Sequence, residues 1–432
     1  MKKIFALTLS LMLGTLLSTA QEVPASLSLS LREAQLYAIE HNRTIANASL
    51  DVRSAEANRW SAIASMLPQI SASGSYQDMF GYEMNFGAGK MKLPSSMNVA
   101  FTASMALSGS QVVSALMSKI SKDMADITVS KTEQSIGQNV KLMYVSALVT
   151  TQTLALLRES LVEMEKLLNY TQVSVNAGVS EQVDADQLEV QVATMINSIS
   201  SAERQLEMVY NSIRIALCVE STTEITLTDP LERLYDIDEV MSLLTEDFLI
   251  ERNMDYQLLQ KSVALSKRQI AATGWGFGPN LSVAFQNSFK KTFGDGFNMT
   301  PPNSLQVSLN IPIFTSLRAT KSIQAAKYNY QKQLNTLKDT ETSLYVQHRQ
   351  YKFNLNSTHE RLLTQKKGVE VSKRVFDNIG KKYEFGHASA LEVTNANTAL
   401  ITAQSNYVSA VFEFVSAQID LETLLNKEYL AN

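Results

Sequence analysis

From Leu305 to Ile311 every second residue is apolar (Leu305, Val307, Leu309, Ile311), while Gln306, Ser308 and Asn310 are polar. That period of two predicts a β-strand with one greasy and one wet face. Pro312 ends it, because proline has no N–H for a ladder. Three other stretches alternate in the same way. Residues 69–76 set Ile70, Ala72 and Tyr76 against Ser71, Ser73 and Ser75. Residues 97–107 put Met97, Val99, Phe101, Ala103, Met105 and Leu107 on one face, and residues 280–288 set Leu281, Val283 and Phe285 against Asn280, Ser282, Ala284 and Gln286. The strands fall in two pairs, joined by the aromatic- and glycine-bearing loops 80–96 and 289–303. One apolar and one polar face, with aromatics near the ends, is what a lipid-facing barrel strand requires. A soluble sheet packed on a core shows the same alternation. Four strands are in either case too few to close a barrel alone.

Almost everything else has a helical period. Val140, Met143, Ala147, Thr150, Leu154, Leu157, Leu161, Met164 and Leu168 step by alternating threes and fours, and so do Leu188, Val192, Met195, Ile199, Ala202, Leu206, Val209, Ile213 and Ala216. The most regular run is Ala396, Leu400, Ala403, Tyr407, Ala410, Phe414, Ala417, Leu421 and Leu424, with alanine every seventh position. A 3.5-residue repeat specifies supercoiled packing, and small residues let a neighbour approach closely. From about 109 to 176 and from 316 to 384 no proline interrupts the pattern. At 1.5 Å per residue each segment spans roughly 100 Å. Ser30 and Glu33 predict a capping box for the first helix.

The chain also repeats itself. Glu40-His41-Asn42 matches Glu251-Arg252-Asn253, and Pro68 matches Pro279, both 211 residues apart; Gly178 with Asp184 matches Gly386 with Glu392, 208 apart. Residues 21–220 and 221–432 therefore read as two structural repeats, each helix, strand, loop, strand, very long helix, turn, helix. The tip turns fall at about 176–184 and 384–392.

Residues 1–20, MKKIFALTLSLMLGTLLSTA, have the charged start, apolar run and small-residue end of a secretory signal, cut after Ala20. Lys2 and Lys3 leave with it, so 38 basic residues fall to 36 against 42 acidic, a net charge of −6. Nucleic acid is a poor partner for that balance, since phosphate binding needs clustered cations. Past residue 20 no stretch resembles a transmembrane helix, so a membrane crossing requires a β-barrel. The lone Cys218 reads as a small buried side chain. His41, His348, His359 and His387 are scattered; His348 and His359 lie about 16 Å apart by helical rise, too far to share a metal. No phosphate loop, nucleophile elbow or paired-cysteine site is present in the sequence. The expectation is no enzyme, no cofactor and no metal.

The sequence VSLNIPIF (307–314), the helix-ending Pro68 and Pro279, and the turns NAGVSEQVDADQLE (176–189) and FGHASALEVTNANTAL (385–400) resemble the TolC-like outer-membrane factors over nearly the whole mature chain. The resemblance implies a mainly α fold with a small transmembrane β-barrel, in the bacterial outer membrane. Three protomers would close a 12-stranded barrel on a long periplasmic α-helical barrel, with segments near 218–240 and the C-terminus forming a belt. Val99, Phe101, Val283, Phe285, Val307 and Leu309 would then face lipid. The implied partners are two further copies, a periplasmic adaptor (membrane fusion protein), an inner-membrane transporter of RND or ABC type, and outer-membrane lipid. In the family, an Asp six residues after the first-half glycine bonds a Tyr three before the second-half glycine and an Arg two after it, holding the periplasmic entrance closed.

Asp184 and Tyr383 occupy the first two of those places, but the Arg place holds Ala388, so the charged arm of the lock is missing. The constriction places hold Glu392 and Asn395, of which only the first is charged. Each residue also has a plainer reading: Asp184 as a helix cap, Tyr383 as packing, Glu392 as a first-turn carboxylate favoured by the helix dipole. The strand-to-helix corner also departs from the family pattern, with Ser104 in the first repeat where the second has Pro312. Three functions remain open: an efflux exit duct, the exit duct of a type I protein secretion system, and an adhesive coiled-coil trimer without a channel.

Overall fold

The computed structural model describes residues 26–87, 89–92, 94–234, 237–294 and 301–427; the signal segment lies outside them. The elements in chain order are β1 (Ser26–Leu29), α1 (Leu31–His41), α2 (Arg43–Ala64), β2 (Gln69–Gln77), β3 (Glu83–Phe86), β4 (Gly89–Lys92), β5 (Ser95–Ser108), α3 (Gly109–Asn176) and α4 (Gln182–Leu217). There follow β6 (Glu224–Leu227), α5 (Ile237–Ser242), α6 (Met254–Trp275), β7 (Asn280–Phe293), β8 (Asn303–Asn310), α7 (Arg318–Glu384) and α8 (Ala390–Leu425). Short 3₁₀ turns flank α5. The capping box of α1 is made as expected, Ser30 and Glu33 satisfying each other's backbone N–H.

The four long strands form one antiparallel sheet in the order β2-β5-β7-β8. Its register aligns Leu107, Leu281 and Leu309 at one end, then Met105, Val283 and Val307, then Ala103, Phe285 and Leu305. The other face aligns polar and small residues: Ser104, Ala284 and Gln306, then Ala106, Ser282 and Ser308. One face is thus largely apolar and the other polar or small-residue. The apolar face stays open in the single chain, with Phe101 50%, Phe285 46%, Val307 62% and Leu309 61% exposed. Among the described residues the outer edges of β2 and β8 pair with no strand.

Several expectations need correction. β7 runs to Phe293, five residues beyond 288, so Phe289-Lys-Lys-Thr-Phe293 belongs to the strand and not to the loop. β8 begins at Asn303 and stops at Asn310, leaving Ile311 outside. The first loop contains a hairpin, β3 with β4. The first corner is not at Ser104, which sits inside the sheet opposite Gln69 and Ala284. There β5 continues to Ser108, which caps α3 directly in a box with Gln111. The second corner instead takes the irregular segment 311–317, with Ser316 and Leu317 at positive φ.

The helices α3 and α7 have 68 and 67 residues, roughly 100 Å each. Each folds back on a 36-residue partner, α3 on α4 and α7 on α8. The seam positions carry the packing: Val140, Ala147, Leu154, Leu157 and Met164 are buried on α3, and Ala396, Leu400, Ala410, Phe414, Ala417 and Leu421 on α8. One window of α3 is apolar enough, by composition alone, to span a membrane, contrary to the expectation for residues past 20. Part of it packs inside the chain. Val145 and Val149 enter one core with α7 and α8, while Val140, Tyr144 and Ala147 enter another with α1 and α4.

A belt wraps the middle. β1 and β6 pair in parallel although nearly 200 residues separate them. Tyr144 pins the belt to α3: its hydroxyl accepts from the N–H groups of Thr228 and Asp229, both at 3.1 Å, and donates to the carbonyl of Leu29 at 3.0 Å. Burial pushes its phenol pKa up.

Candidate functional site

The two helix turns at the end remote from the sheet share one backbone design. α3 ends at Asn176 and α7 at Glu384, and each is followed by a cap residue and a left-handed glycine, Gly178 and Gly386, both at φ 72°. The N–H of Val179 returns to the Ser174 carbonyl at 2.9 Å, and that of His387 to the Lys382 carbonyl at 2.8 Å. This closure of a helix end needs the conformation that only glycine adopts cheaply. A Cβ at either glycine would meet nothing within 4 Å, so backbone conformation alone selects the residue.

Four residues on, the next helix begins, and the side chains diverge. Ser389 caps α8, its hydroxyl accepting from Glu392 N at 3.2 Å, while the Glu392 carboxylate accepts from Ser389 N at 2.7 Å. These bonds hold the Glu392 carboxyl below its ordinary pKa. At the first turn the cap is Glu181, whose side chain caps nothing. Asp184, at the position equivalent to Glu392, is therefore not the cap; it lies in the first turn of α4 and its carboxylate accepts no side-chain or backbone hydrogen bond among the described residues.

Tyr383 is 8% exposed, within a tip core formed by Met164, Leu167, Leu188, Phe376 and Val393. Its hydroxyl meets the Thr171 hydroxyl of α3 at 2.6 Å. Thr171 itself donates to the Leu167 carbonyl at 2.8 Å, so Tyr383 is the donor in the pair. The Tyr383 hydroxyl is thus spent on Thr171 and not on Asp184. Asp184 is close enough that its charge helps to raise the Tyr383 pKa, after burial, the larger cause. Beside them the Tyr170 hydroxyl donates to the Glu384 carbonyl at 2.8 Å. Continuing the α3 seam by one more step of three, from Leu168, lands on Thr171; a hydroxyl at a seam position was the signal for this contact.

Ala388 packs half-buried against the tip core, so no guanidinium stands in the lock. Neither Lys381 nor Lys382 forms an ion pair among the described residues, although the Lys382 charge helps lower the Glu392 pKa. Asn395 is exposed one turn beyond Glu392. Between α3 and α7 a cleft of about 650 Å³ opens, with Glu159, Glu163, Asp377 and Glu384 facing Lys166 and Lys381. Among the described residues, the two helix pairs meet at this end through the apolar core and few polar contacts: Thr171–Tyr383, Tyr170–Glu384, Asn397 to the Met195 sulfur at 3.4 Å, and Lys373–Glu159 at 3.2 Å. The histidines do not converge: His41 stacks on Tyr37, His348 on Phe248, His359 leans on Phe414, and His387 is exposed. No group of three metal-ligating side chains occurs among the described residues.

The model of the family described as outer membrane efflux protein matches residues 37–218 and 248–427, one segment in each half. Outer membrane protein TolC of Escherichia coli K12 is 20% identical over 320 residues, covering 69% of this chain and 63% of that protein. Among solved structures, CusC superposes with a TM-score of 0.77 at 15% identity, over 95% of this chain and 96% of its own. The open-state MtrE outer-membrane channel of Neisseria gonorrhoeae gives a TM-score of 0.72 at 17% identity, over 92% and 89%. At these identities the likeness is one of fold. The chain belongs to the outer membrane efflux protein family.

Proposed function

We propose that the protein is the outer-membrane exit duct of a tripartite efflux pump, passively conducting drugs or other small molecules from periplasm to exterior when its periplasmic tip opens. The observation that carries the reading is the sheet: four strands, one face apolar, one polar, both edges open. A sheet of this kind is completed by copies of itself, since closure removes the edges and puts the polar face around water. Three copies would close 12 strands over a helical tube, and the polar lining of Ser282, Gln286, Gln306 and Ser308 favours a conduit over an adhesive stalk. At the tip, the few polar contacts between helix pairs support an entrance held by a small number of bonds. Tyr383 with Thr171, and Asp184 beside them, are the gate elements of this reading, and three copies of Glu392 would ring the throat with charge.

The duct has no energy source of its own, so the reading requires an inner-membrane transporter, RND or ABC, and a periplasmic adaptor. Deleting the gene in its host tests it. Retention of a fluorescent pump substrate, with the secreted proteins unchanged, is expected. Loss of a large secreted protein with dye export intact would overturn the efflux reading in favour of type I secretion.

A further inference from the structure

The apolar face of the sheet carries a single charged side chain among the described residues, Lys291. It stands in register with Met97, at the end of β7 away from the helices. Residues 281 and 291 are ten apart, about 34 Å along the strand, which a 40° tilt reduces to about 26 Å of height. That is the height of the apolar band of a transmembrane barrel, so with Leu281 at the inner margin Lys291 falls at the outer one. Its neighbours have the character of that margin: Phe289 is 62%, Phe293 49% and Tyr76 65% exposed on the same face. The Phe293 ring leans on Tyr76 at 6.3 Å, and the Lys291 ammonium lies 5.6 Å from the Phe293 centroid.

Among the described residues no carboxylate neutralises it. Lys291 makes no ion pair among the described residues, whereas Lys122, Lys131, Lys141, Lys261 and Lys427 all do. Asp78, the acid at the neighbouring strand end, accepts instead from Phe80 N at 2.8 Å and from the Tyr76 hydroxyl at 3.2 Å. An unpaired ammonium on an aromatic collar at the depth of the headgroups complements a phosphate, and the continuous apolar face below it complements acyl chains.

We propose that Lys291, held against Phe293 and flanked by Tyr76 and Phe289, binds the phosphate of an outer-leaflet membrane lipid. The inference rests on the barrel reading above, and the two can fail separately. The purified mature protein is loaded with bisphosphorylated lipid A or its dephosphorylated form, and bound lipid is counted by native mass spectrometry. Wild type is expected to hold the phosphorylated lipid about five-fold more tightly, the effect of one lysine near a charged surface. Lys291→Gln should erase that preference and Lys291→Arg keep it, with thermal unfolding in plain detergent unchanged in both. No phosphate preference in wild type, or a preference that survives Lys291→Gln, overturns the site. Displacement of the lipid by millimolar inorganic phosphate also overturns it, because it shows a free-anion site. Failure of wild type to float with lipid vesicles instead contradicts the barrel reading itself.

Discussion

The two ends of this molecule satisfy themselves differently. At the tip, the chain completes much of its own chemistry, with Tyr383 buried and bonded to Thr171, both turns closed on left-handed glycines, and Ser389 and Glu392 capping each other, while Val179, Val190 and Phe385 stay exposed. At the sheet, the chain leaves almost everything undone, with Val307, Leu309, Phe101 and Phe289 open and two strand edges free. In water such a surface would aggregate. The difference teaches that the sheet end, with its open apolar face and free edges, suits lipid and other copies, whereas at the tip a buried core joins both helix pairs within one chain.

The largest effect should come from reversing polarity at the sheet. Arg at Leu305, in register with Phe285 midway along the apolar face, should cost about 2–4 kcal/mol near the bilayer midplane, while Arg at Gln306, on the wet face, should be tolerated. Thermal unfolding in lipid measures both, and equal tolerance would erase the two-faced reading. Next comes the backbone of the tip. Gly178→Ala and Gly386→Ala should each cost about 1–2 kcal/mol, since the added Cβ meets only its own strained backbone. The same midpoint shift reports it.

Polar contacts at the tip come third. Ala388→Arg should restore a cation beside Asp184 and lower single-channel conductance in planar bilayers, because a charge-assisted bond is about twice as strong as a neutral one. Thr171→Val frees the Tyr383 hydroxyl and should raise conductance; a change in the opposite sense would show that this pair does not hold the entrance.

The smallest effect separates the two turns. Glu392 has its pKa lowered by the Ser389 N–H and hydroxyl, so its cap is fully formed above the ordinary value of 4.5 and is lost as pH falls through the lowered one. Amide exchange in the first turn of α8 should therefore accelerate in acid. The first turn of α4, where Asp184 accepts no such bond, should change less.

How legible this was differs between elements for physical reasons. The long helices declared themselves, since the 109–176 segment had no breaker and α3 occupies Gly109–Asn176. The sheet faces were legible because water on one side and lipid on the other impose strict alternation. The end of β7 was not, because Lys290-Lys291 imitates a loop although the strand runs through it to Phe293. The strands SLSL and EITL were too short to signal alone; only the fold brings Ser26 beside Glu224. At the tip, the family resemblance, counted from the glycines, pointed to Asp184, Tyr383 and Glu392. It missed Thr171, because a hydrogen bond across 212 residues leaves only a hydroxyl at a seam position.

The most direct test of the account is the mass of the purified protein in detergent, measured by light scattering with the detergent subtracted. Open sheet edges and an unclosed apolar face predict a heat-resistant particle of three copies. A monomer that retains its full strand and helix content would contradict the account, because its four strands would then have stood alone.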